Sequence, residues 1–406
     1  MSDVSALEWR PAFAKTKLET PPMKAEHIFA DNLSEVIWLR LKRLTSHQLC
    51  EKVIVGRSPT MPEGALTEKA AGMAWAVRSA VGYWETKSGG LNARVLSRYY
   101  ALLQVSIAEQ IAAGDETCTL PSIQRHTEQG HGLFTIAADA NGFPANYLIG
   151  CMKSGHFAAY SKTRKLPIDE FAFDRRLRKV SNDAEQAQLV SLADLLRRVP
   201  ELQSVAQEYF GTYPLSFHVG KRHDSELEHQ LDQIGSSTIG SLYDAKTLTP
   251  ALNTTSSIAI CPVGYKITAE QANALDLPIK DFEDRKDPFT GQVLPTGKLE
   301  HPAHEHWHQH LTLHKSGYCG SSVVVPFWGT DDVFTLHFVI LYAFSIVTRY
   351  LPSLWHEIED GKLDHLRSLL EHYLVIVDNV LPKIALERMT GDTVYAVQSG
   401  SIFGPT

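Results

Sequence analysis

Val333-Phe-Thr-Leu-His-Phe-Val-Ile-Leu-Tyr-Ala-Phe-Ser-Ile-Val-Thr-Arg349-Tyr350-Leu-Pro352-Ser-Leu-Trp355-His356 is the stretch on which the fold turns. Its residues before Arg349 are nearly all apolar, so they read as a core helix that ends in one arginine and meets a proline three positions later. At about 1.5 Å per residue the run falls short of the roughly 20 residues that cross a bilayer, and it contains His337. It is expected to be a buried helix of a soluble domain.

A chain of 406 residues with 44% hydrophobic residues buries one large core or a few ordinary ones. Its 39 basic and 46 acidic residues leave a formal charge of -7, which argues against a generally basic surface coating nucleic acid while leaving room for a local basic groove. Cys50, Cys118, Cys151, Cys261 and Cys319 are widely spaced, odd in number and form no CxxC pair. That pattern supports neither a disulfide framework nor a cysteine zinc site, and it fits a reducing compartment. The N-terminus has no basic segment followed by an apolar run, and no window is long enough to span a bilayer, so a cytoplasmic protein without a membrane contact is expected.

Five regions follow from the patterning. Residues 1–88 form a polar, proline-containing lead-in and then helices over 32–55 and 65–83. Region 89–214 is helical, led by a helix over 91–113 that Gly114 stops, with Leu96, Tyr99, Tyr100, Leu103, Ile107 and Ile111 on one broad stripe. Within it, 125–133 reads as a surface loop and 135–160 as irregular or weakly strand-like. Region 215–330 is a mixed insertion, with strands expected at 215–219, 257–263 and 322–327 and a histidine-rich loop. Region 331–390 returns to helix, including a long amphipathic one over 363–389 bent at Pro382. Residues 391–406 read as a tail.

The segment from Leu341 to Trp355, with its Arg349-Tyr350 pair, Pro352 and Trp355, resembles the LYxLS…RYxPxxW signature of YaaC-like bacterial proteins. Ser97-Arg98-Tyr99-Tyr100, the His131-Gly132-Leu133 loop and the run from Val190 to Leu196 before Pro200 are similar to that family in the same order. The resemblance spans roughly residues 90 to 390 and implies architecture more than chemistry. More distantly, the same pieces resemble the HEPN helical fold, in which an Arg-Tyr-Tyr-Ala-like helix packs beside one ending in Arg-x4–6-His. That resemblance implies a mainly α fold, a HEPN-like helical bundle with a smaller mixed α/β insertion, and a homodimer that cuts or binds RNA without metal. Here Arg349 is followed by six residues and His356, with Tyr350 where a polar residue is common and Pro352 inside the motif.

Arg349 and His356 are the candidate catalytic pair. Cleavage of RNA through the 2'-hydroxyl needs an acid or base titrating near neutrality and a cation for the phosphate, which histidine and the guanidinium fork supply. On an unbroken helix the two lie about two turns, roughly 10 Å, apart, a spacing that Pro352 alters. Tyr350 and Glu109 are supporting candidates. Alternatively, Arg349 caps the last carbonyls of its helix while Tyr350, Pro352 and Trp355 pack the turn of a non-catalytic interaction module. A third reading is a metal-dependent hydrolase. His304-Glu305-x-x-His308 matches HExxH, with His304, His308 and His314 as zinc ligands and Glu305 as base. Leu311 replaces the glycine of the extended motif, and Pro295, Gly297 and Pro302 leave little helix before His304. A polar histidine-rich loop, or histidines lining one side of a strand, also accounts for this segment. No cofactor other than such a zinc is implied, because no phosphate-binding glycine loop or dinucleotide fingerprint occurs.

Overall fold

The two stretches of chain that are apolar around most of their circumference become the two central helices. A computed structural model describes residues 25–86, 89–136, 140–222, 253–287, 290–302 and 305–398. Its helices are, in chain order, α1 (Leu33–Arg43), α2 (His47–Arg57), α3 (Glu63–Glu85), α4 (Leu91–Ala113), α5 (Leu120–Glu128), α6 (His156–Thr163), α7 (Asp183–Ala187), α8 (Leu192–Arg197), α9 (Ala206–Phe210), α10 (Ala269–Asn273), α11 (Val333–Tyr350), α12 (Pro352–Asp360) and α13 (Asp364–Thr390). Helix α4 is enclosed by α2, α3, α5, α6, α11 and α13, so its residues are buried on every side and not along one stripe. Helix α11 is apolar enough in composition to cross a membrane, but 78% of it is buried within the protein, which accounts for its apolar text.

The strands are β1 (Ala25–Ala30), β2 (Leu133–Ile136), β3 (Leu148–Cys151), β4 (Val190–Ser191), β5 (Ser216–Lys221), β6 (Asn253–Ile260), β7 (Lys280–Lys286), β8 (Val293–Pro302), β9 (Ser322–Val324) and β10 (Thr393–Gln398). They form a parallel pair β1-β10, a sheet ordered β2-β3-β4 and an antiparallel sheet ordered β7-β8-β6-β5-β9. The last encloses a second core of Leu215, Phe217, Val219, Ile258, Ile260 and Phe282. Two consecutive arginines, the last residue of α8 and the one that caps it, join it to the helices. Arg197 donates to Tyr213 O at 3.0 and 2.8 Å, and Arg198 donates to Val325 O at 2.9 Å and Pro326 O at 3.2 Å.

The expected mainly α, HEPN-like bundle is not what the chain adopts. Helix dominates, at 53% against 17% strand, but the fold is mixed α/β with three sheets. The reasons are local. The stretch over 135–160, read as irregular or weakly strand-like, contributes the end of β2 and all of β3, which are only four residues long and buried almost throughout, so no alternation marks them. The apparent tail after Gly391 is a strand whose partner, β1, lies at the other end of the described chain. The stretch over 125–133, read as a surface loop, contains the last turn of α5, a helix started by the reciprocal Thr119–Ser122 capping box. The helical pattern over 32–55 is two helices, because the chain leaves the helix at Leu44 and restarts after Ser46.

Candidate functional site

Three segments far apart in the chain meet at the C-terminal end of α11: Tyr99-Tyr100 of α4, the Gly130-His131-Gly132 loop, and Arg349-Tyr350. Neighbouring residues on α4 take opposite roles. Arg98, 2% exposed, turns toward α13 and forms a two-pronged pair with Asp378, Nε to Oδ1 at 2.5 Å and Nη2 to Oδ2 at 2.9 Å. Tyr99 turns toward α11, packs edge-on against Phe338 and Tyr342, and places its hydroxyl 2.8 Å from His131 Nδ1. Tyr100 accepts a hydrogen bond from Arg349 Nη1 at 3.3 Å and stacks on Tyr83 with ring centroids 5.4 Å apart.

Arg349 is held from its own helix as well. Its Nε donates to Ser345 O at 3.0 Å and Nη2 to Ser345 Oγ at 3.2 Å, while the guanidinium lies 5.1 Å from the centre of the Tyr350 ring. Part of its role is therefore the helix-end capping that composition allows. A guanidinium has five N–H donors, and three are engaged here, leaving two for a ligand.

Two glycines fix the His131 loop. Gly132 (φ +78°) and Gly155 (φ +97°) occupy left-handed backbone and let the chains touch, so that Phe157 N donates to His131 O at 3.0 Å and His156 N to Gly130 O at 2.9 Å. Tyr342 OH donates to Leu133 O at 2.7 Å and ties the same loop to α11. A Cβ on Gly132 would stand 2.8 Å from Phe157 N. Gly132→Ala is accordingly expected to destabilise the protein by about 1–3 kcal/mol and to move His131 out of reach of Tyr99, checked by thermal denaturation and the imidazole NMR shifts.

Burial, and then the positive charge of Arg349, lowers the His131 pKa from its ordinary value, while burial raises that of Tyr99 and takes Tyr342 up to about 12. At neutral pH the imidazole is uncharged and the phenols keep their protons. No carboxylate is paired with Arg349 among the described residues. The cluster is therefore a cationic fork set among neutral hydrogen-bonding rings, and its edge is aromatic: Tyr350 is 64% exposed and Tyr83 40%.

The other candidates lie elsewhere. His356 is exposed on α12, beyond a break at Leu351 (φ -125°, ψ 60°), and its side chain has no hydrogen bond or ion pair among the described residues. It does not share a continuous helix with Arg349. Glu109 is fully buried on α4, where it accepts from Tyr160 OH at 2.9 Å and pairs with Arg164 at 3.2 Å and Arg388 at 3.8 Å. Burial raises its pKa against the opposing effect of Arg164. His304 lies outside the described residues. His308 belongs to the short 3-10 turn Trp307–His310 and stacks on His306, and Glu305 approaches His310 Nε2 at 2.7 Å.

His314 has different company. Its Nε2 lies 2.7 Å from Glu201 Oε1, and Cys319 Sγ lies 3.8 Å from the same oxygen. Burial would raise Glu201, but the hydrogen bond and charge of His314 outweigh it and hold the carboxyl at about 2. Burial likewise opposes the charged form of His314, yet Cys319 and Glu201 bring it up to about 9. Glu201 and Cys319 were not site candidates in the sequence, and neither were Tyr100 and His131. The last two stood in motifs shared with a family, which was the signal available. Glu201 and Cys319 had none, being separated by more than a hundred residues.

Searches of curated proteins and of solved structures found no match. The family model described as YaaC-like Protein matches residues 60–389, more than half of the chain, and includes every residue of the Arg349 cluster from Tyr83 to Tyr350. The chain belongs to the YaaC-like protein family.

Proposed function

We propose that the protein binds single-stranded RNA at the Arg349 cluster. The observation that carries this reading is the Arg349 guanidinium held between Tyr350 and the Tyr100–Tyr83 stack, with two N–H groups unspent. Single-stranded RNA is recognised by stacking unpaired bases on aromatic rings and by meeting phosphates with a guanidinium fork, and this edge offers both within one patch. The neutral His131 beside it contributes a hydrogen bond without competing for charge. Binding, and not cleavage by Arg349 with His356, is what the geometry favours, since the break at Leu351 and Pro352 puts the two residues on separate helices.

Fluorescence anisotropy with a labelled mixed-sequence RNA oligonucleotide tests the reading. Arg349→Ala is expected to weaken binding at least tenfold and to flatten its salt dependence, and Tyr350→Ala to cost about 1–3 kcal/mol of binding free energy. Wild-type affinity in both variants would overturn the proposal. The same samples, kept with EDTA and run on a denaturing gel beside His356→Ala, report whether any bound RNA is cut.

A further inference from the structure

We infer that Glu201, His314 and Cys319 form a binding site for one divalent transition-metal ion of the zinc class, joining the helical part of the protein to the five-stranded sheet. The site is independent of the Arg349 cluster. One ligand atom from each residue, a carboxylate oxygen, an imidazole nitrogen and a thiol sulfur, lies within 4.8 Å of the other two. Around a tetrahedral zinc with bonds of about 2.0–2.3 Å, neighbouring ligand atoms are roughly 3.3–3.8 Å apart, so adjustments on the order of an ångström close these three on a metal.

The surroundings are those of a held site. Glu201 stands on the 3-10 turn Pro200–Val205, with its side chain completely buried, and Oε2 has no hydrogen-bond partner among the described residues. His314 and Cys319 come from opposite sides of one turn that is closed by two backbone hydrogen bonds between His314 and Ser322, both 2.9 Å. Ser316 braces that turn, its N donating to Cys319 O at 3.2 Å and its hydroxyl lying 3.5 Å from Cys319 Sγ. On α11, His337 is close enough to interact electrostatically with Glu201 and His314. Its Nδ1 is 3.0 Å from Tyr373 OH, which orients the ring, and its Nε2 is buried without a partner. Three mixed donors leave one position of a tetrahedral zinc open for water.

The ligands come from both parts of the structure. Leu202, beside Glu201, packs in the helical core, and Leu313, beside His314, packs against the core of the sheet. A bound ion therefore cross-links the two bodies. This donor set shares only His314 with the HExxH reading, and it uses the Glu201 carboxylate and the Cys319 thiol in place of His304 and His308.

Cobalt(II), added to full-length protein stripped of metal, is the probe. One equivalent per chain is expected to produce a thiolate-to-cobalt charge-transfer band with visible d–d bands, to be displaced by zinc, and to raise the thermal midpoint. Cys319→Ala removes the charge-transfer band and weakens cobalt binding at least tenfold. Glu201→Gln weakens binding while the band persists at high cobalt. His308→Ala leaves both band and affinity unchanged. Circular dichroism of metal-free Cys319→Ala, matched to the metal-free wild type, confirms that the variant is folded. Absence of a charge-transfer band in the wild type, its persistence in Cys319→Ala, or its loss in His308→Ala each overturns the assignment.

Discussion

Asp378→Ala is expected to destabilise the folded protein by about 3–5 kcal/mol, more than the loss of its partner's charge would suggest, because of what it leaves behind. Arg98 is 2% exposed and Asp378 30%. Removing the arginine leaves a carboxylate that water can still reach, whereas removing the aspartate strands a guanidinium in the core. Arg98 would keep only neutral partners, Tyr83 O at 3.5 Å, Thr86 O at 3.0 Å and Ser97 Oγ at 3.0 Å, and Trp84 would lose the acceptor for its indole N–H at 3.2 Å. Urea unfolding followed by circular dichroism checks the order: Asp378→Ala should be less stable than Arg98→Ala, and the double variant Arg98→Met with Asp378→Leu should recover much of the loss. Equal costs for the two single variants would mean that the pair is hydrated in solution.

Acid is expected to unfold the protein in part through His156. Burial, aided by the charges of His131 and His126, takes its folded pKa down to about 3, against about 6.5 for an unfolded histidine. Between those values the unfolded chain binds a proton that the folded one refuses. Stability is thus whole above about pH 6.5 and falls as the pH drops, by about 1.4 kcal/mol per unit, until the folded pKa is approached. Ser106 directs its hydroxyl hydrogen to Leu103 O at 2.7 Å, so it accepts from His156 Nε2 at 2.7 Å, and the remaining ring nitrogen faces Thr127 Oγ1 at 3.3 Å. Comparing the wild type with His156→Gln between pH 7 and 5, where few carboxylates titrate, should show a shallower slope in the variant by about that amount. Parallel slopes would assign the acid sensitivity to other groups.

The helices were legible wherever burial follows a local period. The expected helices over 91–113 and 363–389 match α4 and α13 to within a residue or so, and Pro382 does lie inside the latter. Strands were legible where β-branched residues sit between turns, as for β5, β6 and β9, and were missed in β7 and β8. The sequence Lys-Asp-Phe-Glu-Asp-Arg-Lys of β7 is almost all charged, because one side chain of the strand, Phe282, reaches the core while most of the others face water. Such a strand has the composition of a loop. At the site, Arg349 was legible as the polar end of an apolar helix, and its ring of partners was not.

Local chemistry, then, was determined by the sequence alone: an apolar run long enough for a core helix, a proline that must end it, and an arginine left at its edge. Which groups that arginine meets was decided only in the tertiary structure. Tyr100 reaches it from α4, His131 reaches the neighbouring Tyr99 from a glycine-hinged loop, Glu201 reaches His314 and Cys319 across the junction of two cores, and β1 finds β10 from the far end of the chain. Each of these contacts joins segments that lie far apart in the chain. Periodicity records only which face of a segment is buried, and it carries no address for the partner that buries it.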